Sequence, residues 1–515
     1  MKKHPFLKTL GFTTVALLAV SCEFSFGGGG SSMSIVNTGE LEKVSSKHTL
    51  DDLNESRGKA SFLSKGKKKI LILPITVKGY ERNATELNKE NIEKTFFGDA
   101  SETAWNSVSS FYYKSSYGQL DITGTVADWY ECGYTAEEIA SLGDESQAVG
   151  VRKILNAAVD AYKASSGSDC SEFDYDQDGY IDGVWMIYSC PNYTNDTQLS
   201  KNTYWAYTSW NEGAVADPTN PVANAFSWGS YDFMFDGYGI WKLDAHTYIH
   251  ETAHMMGAED YYDYYGNSCP MGCIDMLDYN IIDHNAFTKF EMGWVTPYLV
   301  SEDKLNEESK SATLTLRPSQ STGDCVIIPT SNGWNGSVFD EYIMLEYYSP
   351  TGLNLKDSTT RYKGYPLGFS EYGVRIYHVD ARLAKISNLN ATGYIDDIDT
   401  SSSTYTDFAH SNTPYFDEDH LSKNWLNGDK DHSYCLIQEM DCYLKRNFAI
   451  NNPNNIASNS SLFQTGDVFS LEGYKDSFPN TTTMNDGSEF PWYISFGKMS
   501  ASCIEVTFSL EAPEV

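Results

Sequence analysis

The residues that could do chemistry lie together in His250-Glu251-Thr252-Ala253-His254-Met255-Met256-Gly257-Ala258-Glu259-Asp260. On a helix, residues four apart share a face one turn apart, so His250 and His254 can present two imidazoles to one ion. Glu251 stands beside them, within reach of a water on that ion. A zinc ion held by three protein ligands keeps a fourth position for water, lowers the pKa of that water to about 7 and polarises a carbonyl. A neighbouring carboxylate can take a proton during attack on a peptide bond and return it to the leaving amine. These residue types in this order point to zinc-dependent hydrolysis, with Glu251 as general base and then general acid.

A third ligand is needed. Gly257 falls where the helix would have to stop in a left-handed conformation, which Gly adopts at least cost. The chain turning back there would bring Asp260, six residues after His254, to the ion. A Glu from a later helix, Glu291, is the rival. The expected set is His250, His254 and Asp260, in the layout of metzincin motifs, HExxHxxGxx followed by a ligand. A His-Glu-x-x-His string also arises by chance, and both His would then be ordinary surface or core residues. Gly257 and Asp260 at these offsets make that the poorer reading.

Several elements must position this cluster. The stretch before it, Trp241 to Ile249, has no Pro, and Asp244 is a plausible N-cap. After Lys67-Lys68-Lys69, where order is expected to begin, the β-branched run Ile70 to Val77 reads as a buried strand. Residues 102–116 read as a helix with Trp105, Val108, Phe111 and Tyr112 on one face, and residues 146–165 as another. Leu120 to Val126 and Gly183 to Tyr188 read as strands. From about Thr296, alternating runs at 313–316, 342–347, 373–377 and 504–510 favour a β-rich, sandwich-like C-terminal region. The expected fold class is α+β, with no internal repeat.

A second ion site is suggested by Asp174-Tyr175-Asp176-Gln177-Asp178-Gly179-Tyr180-Ile181-Asp182. Acidic oxygens at positions 1, 3, 5 and 9, a Gly at 6 and a carbonyl at 7 match a calcium loop of the EF-hand type. The expected ligands are Asp174, Asp176, Asp178, Asp182 and the carbonyl of Tyr180. Position 12 is Trp185 instead of Glu, and a strand follows instead of a helix, so an acidic surface turn is the plainer alternative.

Residues 1–22 read as a targeting segment: basic Lys2, Lys3 and Lys8, then a short apolar run ending in Leu18-Ala19-Val20-Ser21-Cys22. Small residues before a Cys resemble the lipobox of bacterial lipoproteins, which implies cleavage there, acylation of Cys22 and a surface location on the membrane. Residues 23–66 then serve as a tether or a short pro-segment, with Gly27 to Gly30 as its flexible part. Residues 33–66 hold no Cys, so no thiolate from them could block the zinc. The formal charge of −33 argues against nucleic acid as a partner, because phosphates would be repelled. Of ten Cys, nine would remain after acylation of Cys22, an odd number without a disulfide framework. Cys269 and Cys273 are expected to be structural or incidental, not a second zinc site, since no second ligand pair follows them at a suitable spacing.

The segment HETAHMMGAEDYYD (250–263) resembles the HExxHxxGxxDxYD signature of the immune inhibitor A-like family of secreted bacterial metallopeptidases. GCIDMLDYNIIDHNAFTKFEMGW (272–294) resembles that family's second block. Upstream, KKKILILPITV and FFGDASETAWNSVSSFYYKSSYGQLDITGTVADWY resemble its N-terminal strand and helix. The likeness covers about 67–296 and extends more loosely over 339–383. It implies a zincin-type catalytic domain over 67–296, followed by the β-rich region 297–515. It also implies that Met276 forms a structural floor under the His ligands. Tyr279 and His284 follow within reach of such a turn and could hydrogen-bond an oxyanion, but a solvated polar loop is the preferred account of both. The reading is a surface-anchored zinc endopeptidase acting on protein or peptide chains. A surface binding protein with a vestigial site, or a zinc hydrolase of a non-protein amide, are the alternatives.

Overall fold

The structure is a computed structural model. It describes residues 41–513, apart from 60–61, 87–88, 143–146, 193–203, 212, 236–241, 265, 267, 388–389, 402–404, 409–411, 413–434, 450–454, 475–476 and 479. Cys22 and the targeting segment lie outside the described residues.

Order, expected from Lys67, is already established at helix α1 (Leu50–Ser56). Its Leu50 and Leu53 are fully buried, and its Asn54 Nδ2 donates to Met256 O at 2.8 Å. Seven residues are too few for a helical period to show in sequence. Strand β1 (Gly66–Lys78) then carries the apolar run through the molecule. Side chains alternate across a strand. Ile70 and Ile72 enter one core, and Leu71, Leu73, Ile75 and Val77 enter another.

Helix α2 (Val108–Ser115) starts later than the sequence pattern suggested, because Ser107 caps it by accepting from Ser110 N at 3.1 Å. Trp105 precedes the helix and donates its indole N–H to Leu353 O at 2.9 Å. Strands β2 (Leu120–Val126) and β3 (Tyr130–Thr135) pair parallel with β1. Helix α3 (Gln147–Ser166) covers the second core. On the other side of β1 lies β4 (Val184–Tyr188), also parallel. The sheet ends with β5 (Tyr207–Trp210), an antiparallel edge strand on β6 (Ala225–Ser230). Parallel strands need cover on both faces. One face here carries α3, and the other carries α2 and helix α4 (His246–Met255), which holds the metal-ligating candidates.

The expected C-terminal strands are present. A six-stranded sheet contains β7 (Tyr298–Leu299), β9 (Cys325–Pro329), β10 (Glu341–Tyr348), β11 (Gly373–Asp380), β15 (Ile437–Asp441) and β16 (Arg446–Asn447). A four-stranded antiparallel sheet contains β8 (Ser311–Leu316), β17 (Val468–Phe469), β18 (Tyr493–Ser500) and β19 (Cys503–Ser509). A small sheet of β12 (Leu383–Ser387), β13 (Asn390–Ile395) and β14 (Tyr405–Phe408) lies beside α1. Both faces of the six-stranded sheet are buried. Val326, Ile328, Ile343, Leu345, Val374 and Ile376 face the four-stranded sheet. Ile327, Tyr342, Met344, Tyr377 and Val379 join the core around α4. The architecture is α+β, with one core spanning residues from Leu50 to Ile437.

Candidate metal centre

Nearly all of α4 is buried. Its N-cap is Ala245, and Asp244, expected in that role, does different work. Asp244 Oδ1 lies 2.5 Å from His246 Nδ1, and Asp357 Oδ2 lies 3.4 Å from His246 Nε2. The ring is stacked between Trp105 and Tyr362, each centroid 4.1 Å away. Burial alone would lower the pKa of His246, but the two carboxylates outweigh it and push it up to about 9. His246 is therefore an internal cation that anchors the first turn of α4.

One turn later the next two imidazoles face each other. His250 Nε2 and His254 Nε2 are 3.1 Å apart, and Asp260 Oδ1 lies 3.0 Å from the first and 3.1 Å from the second. His250 Nδ1 is 2.8 Å from Met276 O, and His254 Nδ1 is 2.6 Å from Ala258 O. A carbonyl only accepts, so each Nδ1 carries the proton and each neutral ring turns a lone pair inward from Nε2. Two lone pairs and a carboxylate oxygen meeting at this range repel unless a cation lies among them. Burial by itself would raise Asp260 and lower His254. Without an ion, a proton on His254 Nε2 is the cation: its attraction to the carboxylate outweighs burial, holding the Asp260 carboxyl well below the usual carboxylate range and pushing His254 up to about 10. The donor set thus fits a metal ion on electrostatic grounds. Tyr264 Oη donates to Asp260 Oδ2 at 2.6 Å, which turns Oδ1 toward the imidazoles.

Gly257 makes this closure possible. Its φ is +94°, and a Cβ there would lie 2.4 and 2.5 Å from the side-chain atoms of Asn54. A helix end in this conformation suits Gly. Asn54 packs against the bend and ties Met256 O, so α1 supports the turn that delivers Asp260.

Glu251 is 6% exposed, beside the three ligand candidates. Burial raises its pKa, while His254 and His250 partly oppose the rise. Its Oε2 accepts from Thr208 Oγ1 at 3.1 Å. A cleft of about 970 Å³ opens over the cluster, walled by Trp205, Tyr207, Trp210 and Phe233 on one side and by Tyr262 and Tyr365 among others. Concave sites of this size suit ligand binding.

Other expected residues fall as follows. Glu291, the rival ligand, is outside the cluster and accepts from Tyr261 Oη at 3.2 Å. Met276 opens helix α5 (Met276–Tyr279); its carbonyl holds His250, and its side chain is fully buried in the main core. Tyr279 lines the cleft. His284 does not: it is buried against Phe111, Tyr112 and Trp294, which corrects the expectation of a solvated loop and leaves it off the cleft wall where an oxyanion donor would stand. Cys269 lines the cleft near Tyr279, and its thiol hydrogen-bonds to that of Cys273 behind it.

In the acidic loop, oxygens of Asp174, Asp176 and Asp182 converge. Asp174 accepts from Asp178 N and Gly179 N, each at 3.0 Å, with Gly179 at φ +88°. Asp178 lies outside the converging group; its Oδ1 accepts from Tyr180 N at 2.8 Å, which places Tyr180 in the same turn. Lys68, only 2% exposed, sets its Nζ 3.6 Å from Asp176 Oδ2 and 3.7 Å from Asp182 Oδ1. Burial pushes Asp182 up to about 7 despite that ammonium, and its Oδ2 has no hydrogen-bond partner.

Sequence reasoning missed His246, Thr208, Tyr264, Asn54 and Lys68. Two of these left a signal: His246 repeats the four-residue step of His250 and His254, and Lys68 is two residues before Ile70 on the same strand face. The chain matches no protein-family model and no curated protein.

Proposed function

We propose that this chain is a zinc-dependent endopeptidase of zincin-like design, exported and held at a membrane surface by lipid on Cys22, that cuts extracellular protein or peptide chains. The observation that carries this reading is the meeting of two inward-facing imidazole lone pairs and Asp260 Oδ1 beside the buried carboxylate of Glu251. His250, His254 and Asp260 would hold the zinc. Bound there, the ion supplies a Lewis acid for the scissile carbonyl and makes a water nucleophilic near neutral pH.

The chain's own residues do the rest. Met276 O and Ala258 O fix both imidazoles in the tautomer that ligates through Nε2. The carboxylate of Glu251 takes a proton from the attacking water and delivers it to the amine nitrogen of the leaving strand. The aromatic walls of the cleft hold the substrate chain and exclude bulk water. The loop from Asp174 to Asp182 is read as a calcium site built on Asp174, Asp176 and Asp182, whose oxygens converge, with Asp178 holding the turn at Tyr180 instead of ligating. Lys68 already offsets part of its charge, so the ion's role there is structural.

The experiment is Glu251→Gln. Zinc per chain should stay the same by metal analysis, while hydrolysis of casein falls by about 10²–10⁴-fold, as for loss of a general base. Unchanged hydrolysis refutes the mechanism. A wild type that binds zinc but cuts neither casein nor gelatin favours the binding-protein reading.

A further inference from the structure

The terminal torsion of a Glu side chain is broad and roughly two-fold, so packing alone does not choose which carboxylate oxygen faces the reacting water. Something must set it at Glu251, and the edge of the first sheet offers the means. Strands β5 and β6 pair Thr208 with Ser227. The two hydroxyls sit 2.7 Å apart, with Ser227 fully buried. Thr208 Oγ1 lies 2.8 Å from Glu251 O and 3.1 Å from Glu251 Oε2. Among the described residues, no other hydrogen bond to this carboxylate is present.

A hydroxyl has one proton and two lone pairs. With Ser227 donating to Thr208, the proton of Thr208 is left for Glu251, shared between its backbone O at 2.8 Å and Oε2 at 3.1 Å. We propose that Thr208, oriented by Ser227, is a positioning residue. It pins Oε2 of Glu251 against the sheet edge and so presents Oε1 to the attacking water. The proposal rests on the peptidase reading above and adds to it the origin of the base's orientation. Thr208 touches Glu251 and none of the three metal-ligand candidates in any recorded hydrogen bond. Thr208 lines the cleft, but its hydroxyl is engaged with Ser227 and Glu251, so loss of that hydroxyl should slow turnover without weakening metal or substrate binding.

The test compares Thr208→Val, which keeps shape and loses the hydroxyl, with Thr208→Ser, which keeps the hydroxyl and loses the methyl. Casein-peptide kinetics and zinc content are measured for both, beside wild type and Glu251→Gln. Thr208→Val should lower kcat by about 10–100-fold, the usual cost of losing an outer partner of a metal site, with KM and zinc content unchanged. Thr208→Ser should recover to within about threefold of wild type, since the donor is restored. Ser227→Ala should give a smaller loss of kcat. If Thr208→Val does not fold, Thr208→Ala carries the same expected loss. The proposal is overturned if Thr208→Val keeps wild-type kcat, if Thr208→Ser falls with it, or if only KM moves. Failure of the peptidase reading looks different: wild type and Glu251→Gln would then be equally inactive, and the positioning role would fall with it.

Discussion

Three histidines lie on one helix at four-residue steps, and their partners give them different chemistry. His250 and His254 spend their Nδ1 protons on carbonyls and leave Nε2 facing Asp260. His246 faces two carboxylates and is held as a cation instead. A folded-state value of about 9 lies above the ordinary one of about 6.5. The sign follows from linkage: the stabilisation is fully present below about 6.5 and is lost as pH rises through about 9. Thermal melts of the zinc-loaded protein should therefore fall between pH 6.5 and 9, and His246→Gln should be less stable at pH 6 and flatter across that window. Equal slopes in both proteins would remove His246 from the account. The spacing of His250, Glu251, His254 and Asp260 was legible because a helix and a Gly stop turn sequence offsets into geometry. Thr208 and Tyr264 were not, because strand pairing and loop closure bring them to the site.

At the scale of elements, the strands were the easier part to read. The apolar runs at Ile70 to Val77, 342–347 and 373–377 each mark a strand, and each is found as one, buried on both faces. Helix α1 escaped notice because it is short and gains its order by packing against the bend after α4. That bend is a two-element joint. Gly257→Ala would place a methyl group against Asn54 and force a β-carbon onto a left-handed backbone. The expected cost is about 1–3 kcal/mol of stability, typical of residues held in such conformations. Zinc affinity should fall with it, since Asp260 follows directly. Denaturant melts and competition with a chromogenic chelator measure the two effects, and a variant with unchanged values in both would show that the bend tolerates relaxation.

For the whole molecule, the six-stranded sheet is the shared wall of two cores. Arg375, fully buried in β11, shows how closely the halves are joined. Its guanidinium donates to Glu439 Oε1 and Oε2 at 3.0 and 2.7 Å and to Ile274 O at 2.9 Å, beside the loop that carries Met276. A chain ended at residue 296 would expose the face that Tyr342, Met344, Tyr377 and Val379 now cover. It should be aggregated or insoluble on size-exclusion chromatography, whereas a monomer with a sharp melting transition would show that residues 41–296 fold alone.

The same joint sets an order in time. Glu439 N donates to Pro270 O at 2.9 Å, and Arg375 reaches Ile274 O, so residues made late in synthesis complete the wall behind His250. A growing or prematurely ended polypeptide has the ligand helix long before it has that backing. On the proposed peptidase reading, competence to cut would thus arrive only once residues as far along as Glu439 have joined the fold.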